Sequence, residues 1–128
     1  MKFNLENLNP GTFFPFEDGE GGVTVRVANG SALDEINKKC IKKKFEFRRG
    51  QRIEIIDENT ELKSSMLWDY VIVDWKGVFD STDTVIPCNK ETKELLMKGS
   101  VVFSSFIGEC IEKLTEMEES YNEDLEKN

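Results

Sequence analysis

The chain has 128 residues, a formal net charge of −8 at pH 7, and a composition that is 38% hydrophobic and 33% charged. This length suits one domain with a modest core, because compact domains commonly contain about 100 to 150 residues. No apolar run approaches the length of a transmembrane helix, and the N-terminus lacks the apolar stretch of a secretory signal, so the sequence predicts a cytoplasmic protein.

The N-terminal part is predicted to contain antiparallel strands. Residues 1–11 are polar and end in an Asn-Pro-Gly turn signal, which predicts a flexible N-terminal arm. Residues 12–16 form a short aromatic strand candidate that Pro15 restricts to an edge position. Valines alternate with polar residues over residues 23–27, and this pattern predicts a half-buried strand that pairs with the first across the glycine-rich residues 19–22.

A helix is predicted to follow, with Ser31 as its N-cap and Asp34 placed to complete a capping box. Its apolar face consists of Leu33, Ile36, Cys40 and Ile41. The helix is expected to end near Lys43.

Two alternating segments, residues 45–47 and 53–55, flank a short stretch that contains arginines and a glycine. This arrangement predicts a β-hairpin that turns at Gly50. Phe45 and Phe47 are expected to face the core.

The next predicted element is a long helix that starts near residues 57–60 and extends to Val78. Its apolar side chains form two adjacent rows, a pattern typical of a helix that is buried on more than one side. The β-branched residues 71–73 also suit a strand, so both interpretations stay open for the second half of this helix.

Two further helices are predicted near the C-terminus. Asn89 can cap a short helix that runs through Met97 and ends at Gly99, and Ser100 starts the last helix. Apolar residues at spacings of three and four give the last helix the strongest periodic signal in the chain: Phe103, Phe106, Ile107, Cys110, Leu114 and Met117. Residues 119–128 form an acidic tail that is expected to be frayed.

These elements predict an α+β fold in which N-terminal antiparallel strands and a hairpin precede a C-terminal helical part. The predicted organisation is a single domain over residues 12–118, with the flexible arm at residues 1–11 and the acidic tail at residues 119–128.

Basic residues are concentrated between residues 38 and 52, which contain eight of the 17 lysines and arginines and a single acid. Such a segment can be a solvated surface, a phosphate-binding surface or a protein-binding patch. The negative charge of the whole chain opposes general attraction to nucleic acid, so protein binding is favoured over nucleic acid. The candidate protein-binding residues are Lys38, Lys39, Lys42, Lys43, Arg48, Arg49, Arg52, Trp68 and Trp75. The two tryptophans are seven positions apart on the predicted long helix, which favours a core position over an anchoring role.

Residues that could support catalysis or bind metal do not occur in useful patterns. Histidine is absent, and Cys40, Cys88 and Cys110 are too widely spaced to form a Cys-x-x-Cys pair. Asp69 and Asp74 are five positions apart, which does not place them on the same helix face. The sequence therefore predicts no catalytic residues, no cofactor and no metal site. Cys40 and Cys110 fall on apolar helix faces, where a free thiol behaves as a small hydrophobic group.

Two short segments resemble motifs of the tail assembly chaperones of long-tailed phages and prophages. The first is Asp74-Trp75-Lys76-Gly77-Val78, and the second is Ile86-Pro87-Cys88-Asn89, which precedes a closing helix with Phe103, Phe106 and Ile107. The resemblance covers roughly residues 20–118. Many members of that family have a glycine in the turn before Ile-Pro, whereas residues 80–84 of this chain contain none.

The resemblance implies a non-catalytic protein of the host bacterial cytoplasm that binds the phage tape measure protein and recruits the tail tube protein, with homo-oligomerisation left open. The alternatives are a structural tail or head-tail joining protein and a small nucleic-acid-binding regulator. Tail assembly chaperones are often also made in a longer, frameshifted form. Codons for Glu126-Lys127-Asn128 can contain a slippery run of adenines, so a longer form is a further expectation.

Overall fold

A computed structural model of the chain describes the backbone of residues 1–126 and the side chains of residues 1–118. The elements in chain order are β1 (Thr12–Pro15), β2 (Gly22–Val25), α1 (Gly30–Cys40), β3 (Ile41–Arg48), β4 (Gln51–Glu58), α2 (Thr60–Val71), β5 (Ile72–Lys76), α3 (Lys90–Gly99) and α4 (Val101–Glu126). The strands are antiparallel and precede a helical C-terminal part, so the predicted α+β fold is confirmed.

The chain divides into two compact units. One unit contains Met1–Val27 and Trp68–Asn128, and the other contains Ala28–Leu67. The predicted bounds of residues 12–118 for a single domain stay a prediction.

The first unit contains a three-stranded antiparallel sheet in the order β1-β2-β5. β1 and β2 pair in a register that places Thr12 opposite Val25. This confirms the predicted strand pair across the glycine turn and the edge position of β1. Val23 and Val25 are fully buried while Thr24 is half-buried, as the alternating pattern predicted.

The glycine-rich turn between β1 and β2 allows two backbone segments to approach closely. Gly21 has a φ of +83°, and a Cβ atom at this position would collide with the carbonyl oxygen of Lys76. Gly77 has a φ of +71°, and a Cβ atom there would lie 2.8 Å from the carbonyl oxygen of Glu20. Glycine is required at both positions, because only glycine adopts these dihedral angles without steric cost and leaves the space free.

The strand β5 corrects the prediction of a helix that extends to Val78. α2 ends where β5 begins, and within β5 Ile72 is fully buried and Trp75 is 6% exposed. β5 forms a ladder with β2, and the β-branched residues Ile72 and Val73 suit that pleated surface. The helix prediction was wrong here because the apolar spacing does not reveal a strand partner that is about 50 residues away in sequence.

Local capping starts both C-terminal helices at the predicted residues. The Asn89 side chain accepts a hydrogen bond from the backbone N–H of Thr92, and the Thr92 hydroxyl accepts one from the backbone N–H of Asn89. This reciprocal capping box begins α3. The Ser100 hydroxyl accepts a hydrogen bond from the backbone N–H of Phe103 at the start of α4.

The apolar stripe of α4 supplies much of the buried surface in this unit. Four of its members are buried: Phe103, Ile107, Cys110 and Leu114. Phe106 is half-buried and packs on Phe16 with the ring centroids 5.2 Å apart, while Met117 is 58% exposed and lies outside the stripe. The helical backbone continues to Glu126. The side chains of the predicted acidic tail, residues 119–128, and the frameshift residues 126–128 lie outside the described side chains.

The end of the N-terminal arm is attached to the first unit. The side-chain amide of Asn9 donates hydrogen bonds to the backbone oxygen of Val27 at 2.8 Å and to the hydroxyl of Tyr70 at 3.1 Å. The guanidinium of Arg26 lies 3.8 Å from the centroid of the Tyr70 ring and donates to the backbone oxygen of the same residue. Asn9 therefore has specific tertiary contacts, whereas residues 1–8 are exposed.

The second unit consists of α1, the β3–β4 hairpin and the first part of α2. Asn29, rather than the predicted Ser31, caps α1, because its side chain accepts a hydrogen bond from the backbone N–H of Ala32 at 2.9 Å. α1 ends at Cys40 instead of near Lys43, and the chain continues directly into β3. The predicted end was wrong because residues from Ile41 onward are paired with β4.

Candidate protein-binding surface

The predicted basic segment forms a two-stranded hairpin. β3 and β4 pair over all eight positions of each strand, from Ile41 opposite Glu58 to Arg48 opposite Gln51. Arg49 and Gly50 form the two-residue turn with φ values of 53° and 75°. Two consecutive positive φ angles are typical of a type I′ turn, whose twist matches that of a hairpin. The predicted turn at Gly50 is confirmed.

The hairpin is exposed on both faces. Of its sixteen strand residues, fifteen are exposed and only Ile55 is half-buried. Phe47 is 77% exposed, and Ile56 is 63% exposed. The prediction that Phe45 and Phe47 face the core is wrong, because in the described residues each strand of this hairpin has one neighbouring strand only.

The cross-strand register gives one face of the hairpin an aromatic and basic character. Phe45 is opposite Glu54, and Phe47 is opposite Arg52, so these four side chains share a face. The guanidinium carbon of Arg52 lies 3.8 Å from the centroid of the Phe45 ring. Such a cation–π contact holds the guanidinium over the face of the ring.

Ion pairs across the hairpin neutralise part of its positive charge. Residues 41–58 contain six basic and four acidic side chains, so their net charge is +2. Lys43 pairs with Glu54 at 3.4 Å, and Lys44 pairs with Asp57 at 3.3 Å. Both pairs are exposed and each stabilises the fold by at most about 1 kcal/mol. Their main consequence is that the patch is mixed in sign, which suits a protein partner better than a phosphate backbone.

The other predicted basic residues lie on the same unit. Lys38 and Lys39 are exposed in the last turn of α1, where positive charge interacts favourably with the helix dipole. Lys42 belongs to β3, and Arg48 and Arg49 lie at the tip of the hairpin. Arg48 contacts Glu46 at 3.3 Å. The structure thus brings all seven predicted basic site residues into one compact unit.

The two predicted tryptophans belong to the other unit. Trp75 is buried in β5, donates a hydrogen bond from Nε1 to the backbone oxygen of Ile86 at 2.8 Å, and contacts Phe103 edge-to-face with the centroids 5.7 Å apart. These contacts make Trp75 a core residue, and its indole is not available to a partner. Trp68 is half-buried near the end of α2.

The three cysteines are single thiols at separate places in the fold. All three cysteines are free, and burial raises the pKa of the Cys88 and Cys110 thiols. Cys40 and Cys110 are both buried, as predicted. Among residues 1–118, no group of three or more metal-ligating side chains is close enough to hold an ion.

The exposure of the apolar side chains of the hairpin was not predicted, although the sequence contains a signal for it. A two-residue turn at 49–50 places Phe45 opposite Glu54, so Phe45 and Phe47 share one face while Ile53 and Ile55 occupy the other. A hairpin with apolar residues on both faces cannot bury both against a single core. The register alone therefore predicts at least one exposed apolar face.

No helix among the described residues combines the length and the apolar composition that crossing a bilayer requires.

The fold is that of a small α+β protein with an exposed hairpin that carries aromatic and basic side chains. A family model described as YdaY prophage protein matches residues 25–128, most of the chain, and the chain belongs to this family. No match was found among curated proteins or among solved structures. This family match confirms the prediction of a phage or prophage protein.

Proposed function

We propose that this prophage protein is a non-catalytic tail assembly chaperone that uses the β3–β4 hairpin to bind the tape measure protein in the host cytoplasm. The observation that carries the proposal is the exposure of Phe45, Phe47 and Ile56 on a hairpin of sixteen strand residues. Membership of a prophage protein family supports a phage role. The choice of client rests on the sequence resemblance to tail assembly chaperones.

A hairpin of this kind offers three types of contact to a protein client. Its outer strand edges present backbone N–H and C=O groups that can pair with an added strand. Its aromatic side chains provide apolar area, and the arginines at the tip provide charge-assisted hydrogen bonds. Each contact is individually modest. A client held in this way can be released when tail tube subunits compete for it, as chaperone function requires.

Co-expression with the tape measure protein of the same prophage tests the proposal. We expect the tape measure protein to be soluble and to co-purify with the wild-type chain. The triple variant Phe45→Ser, Phe47→Ser and Ile56→Ser should lose the client, because it removes the exposed apolar area. Leu95→Ser is a matched control, since Leu95 is an equally exposed apolar residue of α3 in the other unit.

The outcome contradicts the proposal if the tape measure protein is equally soluble without this protein, or if the hairpin variant retains it. Circular dichroism spectra of the variants establish that they are folded. A structural tail or head-tail joining protein would instead be present in purified phage particles, where mass spectrometry detects it.

The nucleic-acid alternative has a separate test. The mixed charge of the hairpin and the net charge of −8 predict negligible binding of labelled duplex DNA at physiological salt. Salt-sensitive binding that is lost on replacing Lys42, Lys43, Arg48 and Arg49 would favour a nucleic-acid-binding regulator.

A further inference from the structure

The first unit contains an apolar groove that the proposed function does not use. The groove has a volume of about 730 Å³ and lies between the β1–β2 turn, the segment after β5 and the start of α4. The packed rings of Phe16 and Phe106 line it, together with Phe79, Val101 and Val102.

Three of the lining side chains are large, apolar and mostly exposed. Val101 and Val102 are more than 80% exposed, and about half of Phe79 is exposed. The two valines lie at the start of α4 and are not part of its buried stripe. Clustered exposed apolar side chains on a soluble unit are typical of an interaction site.

Among residues 1–118, the charged residues that line the groove are all acidic. They are Glu17, Asp18 and Glu109, and no lysine or arginine of this range lines the groove. Glu17 and Asp18 follow the aromatic ring of Phe16 directly in sequence, so negative charge and apolar surface are adjacent. A partner that fits both features needs an apolar face bordered by positive charge.

We infer that this groove binds a basic amphipathic helix of another protein. Such a helix presents apolar side chains at positions i, i+3, i+4 and i+7 to the groove, and lysines or arginines on its flanks reach the three carboxylates. The inference does not depend on the hairpin or on the tape measure protein.

Charge also argues against a membrane as the occupant of the groove. Bacterial-type anionic lipid surfaces attract lysine and arginine, and they repel a surface whose charged groups are all carboxylates. The exposed valines and Phe79 therefore favour a protein segment over a lipid surface.

The inference is tested with the full-length protein and two labelled peptides of about 18 residues. Both peptides carry leucine at positions i, i+3, i+4 and i+7, so that each can form an amphipathic helix. One peptide carries lysine at the polar positions, and the other carries glutamate. Fluorescence anisotropy should show binding of the lysine peptide with a Kd of about 10 µM and at least tenfold weaker binding of the glutamate peptide. Anionic vesicles serve as a third probe and should not bind.

Variants of the protein distinguish binding in the groove from non-specific attraction of a basic peptide to an acidic protein. Neutralising the three acidic residues of the groove with Glu17→Gln, Asp18→Asn and Glu109→Gln should weaken binding of the lysine peptide about tenfold. Neutralising three exposed acids outside the groove, with Asp34→Asn, Glu112→Gln and Glu116→Gln, gives the same net charge and should leave the affinity unchanged. Val102→Asn removes apolar area at an exposed position and should also weaken binding.

Equal affinity for the two peptides would overturn the inference, and so would equal effects of the two neutralised triple variants. Binding of anionic vesicles that requires Val101 and Val102 would replace it with a lipid-binding site. Because the assay contains no tape measure protein, its result is independent of the co-expression experiment.

Discussion

The ammonium nitrogen of Lys93 lies 3.1 Å from both the backbone oxygen and Oδ1 of Asp69. The side chain of Lys93 is only 9% exposed, whereas that of Asp69 is 45% exposed. A single buried cation thus connects α3 to the end of α2 within the first unit.

We expect Lys93→Met to lower the free energy of unfolding by about 1.5 to 3 kcal/mol, because it leaves the backbone oxygen of Asp69 without its charged donor. Asp69→Asn should cost less, since that backbone oxygen keeps its partner. Lys98→Met is the control: Lys98 pairs with Glu94 at an exposed position, where an ion pair contributes at most about 1 kcal/mol. Urea denaturation measures all three, and equal losses for Lys93→Met and Lys98→Met would contradict the assignment.

The stripe of α4 supplies a second stability prediction. Ile107 is 1% exposed, so Ile107→Ala should cost about 2 to 5 kcal/mol through lost burial and a residual cavity. Met117→Ala, at an exposed position of the same helix, should change the stability by less than about 0.5 kcal/mol. Phe106 is half-buried, so Phe106→Ala should fall between these two. Comparable losses in the free energy of unfolding for Ile107→Ala and Met117→Ala would mean that the buried face of α4 is assigned wrongly.

The three thiols should differ in their reactivity. Burial raises the pKa of Cys88 and Cys110, so each favours the neutral thiol in the folded protein. Native protein should therefore react with iodoacetamide slowly and at Cys88 alone, at a rate that increases as the pH rises through the raised pKa. Denatured protein should react at all three cysteines.

The same shifts determine the effect of alkaline pH on stability. The contribution of these thiols to the free energy of unfolding is fully present below the unfolded pKa of about 8.5. It is lost as the pH rises through the higher folded pKa.

In the labelling experiment, Cys88→Ser should abolish the reaction of the native protein with iodoacetamide. Rapid native labelling of Cys40 or Cys110 would contradict their burial.

Asp80 provides a pH-dependent prediction at acidic pH. The hydroxyl of Thr82 and the backbone N–H groups of Thr84 and Thr82 donate hydrogen bonds to Oδ1 of Asp80 and lower its pKa. The carboxylate therefore stabilises this turn above its unfolded pKa, and the effect is lost as the pH falls through the depressed pKa.

An NMR titration of the Thr82 and Thr84 amide protons measures this transition directly. Both amides should move together, with a midpoint below that of an ordinary aspartate. Asp80→Asn keeps an oxygen acceptor but cannot ionise, so its amide shifts should not titrate. A wild-type midpoint at the ordinary value would show that these hydrogen bonds do not form.

The sequence alone determined several features that depend on local interactions. The cap at Asn89, the helix start at Ser100 and the turn at Gly50 each involve groups within a few residues, so the sequence predicts them directly. The buried stripe of α4 was predicted for the same reason, since its spacing reflects a single helix. The clustering of basic residues between 38 and 52 also followed from the sequence.

Only the tertiary structure decided the conformation and the burial of residues whose partners are distant in sequence. Ile72 to Trp75 have a helical pattern, but pairing with β2 makes them a strand, because a ladder satisfies the backbone while burying Ile72 and Trp75. Phe45 and Phe47 alternate as core residues do, yet no third strand adjoins their hairpin in the described part of the chain. Periodicity reports which side chains share a face, whereas burial depends on what that face meets, and that is a property of the whole fold.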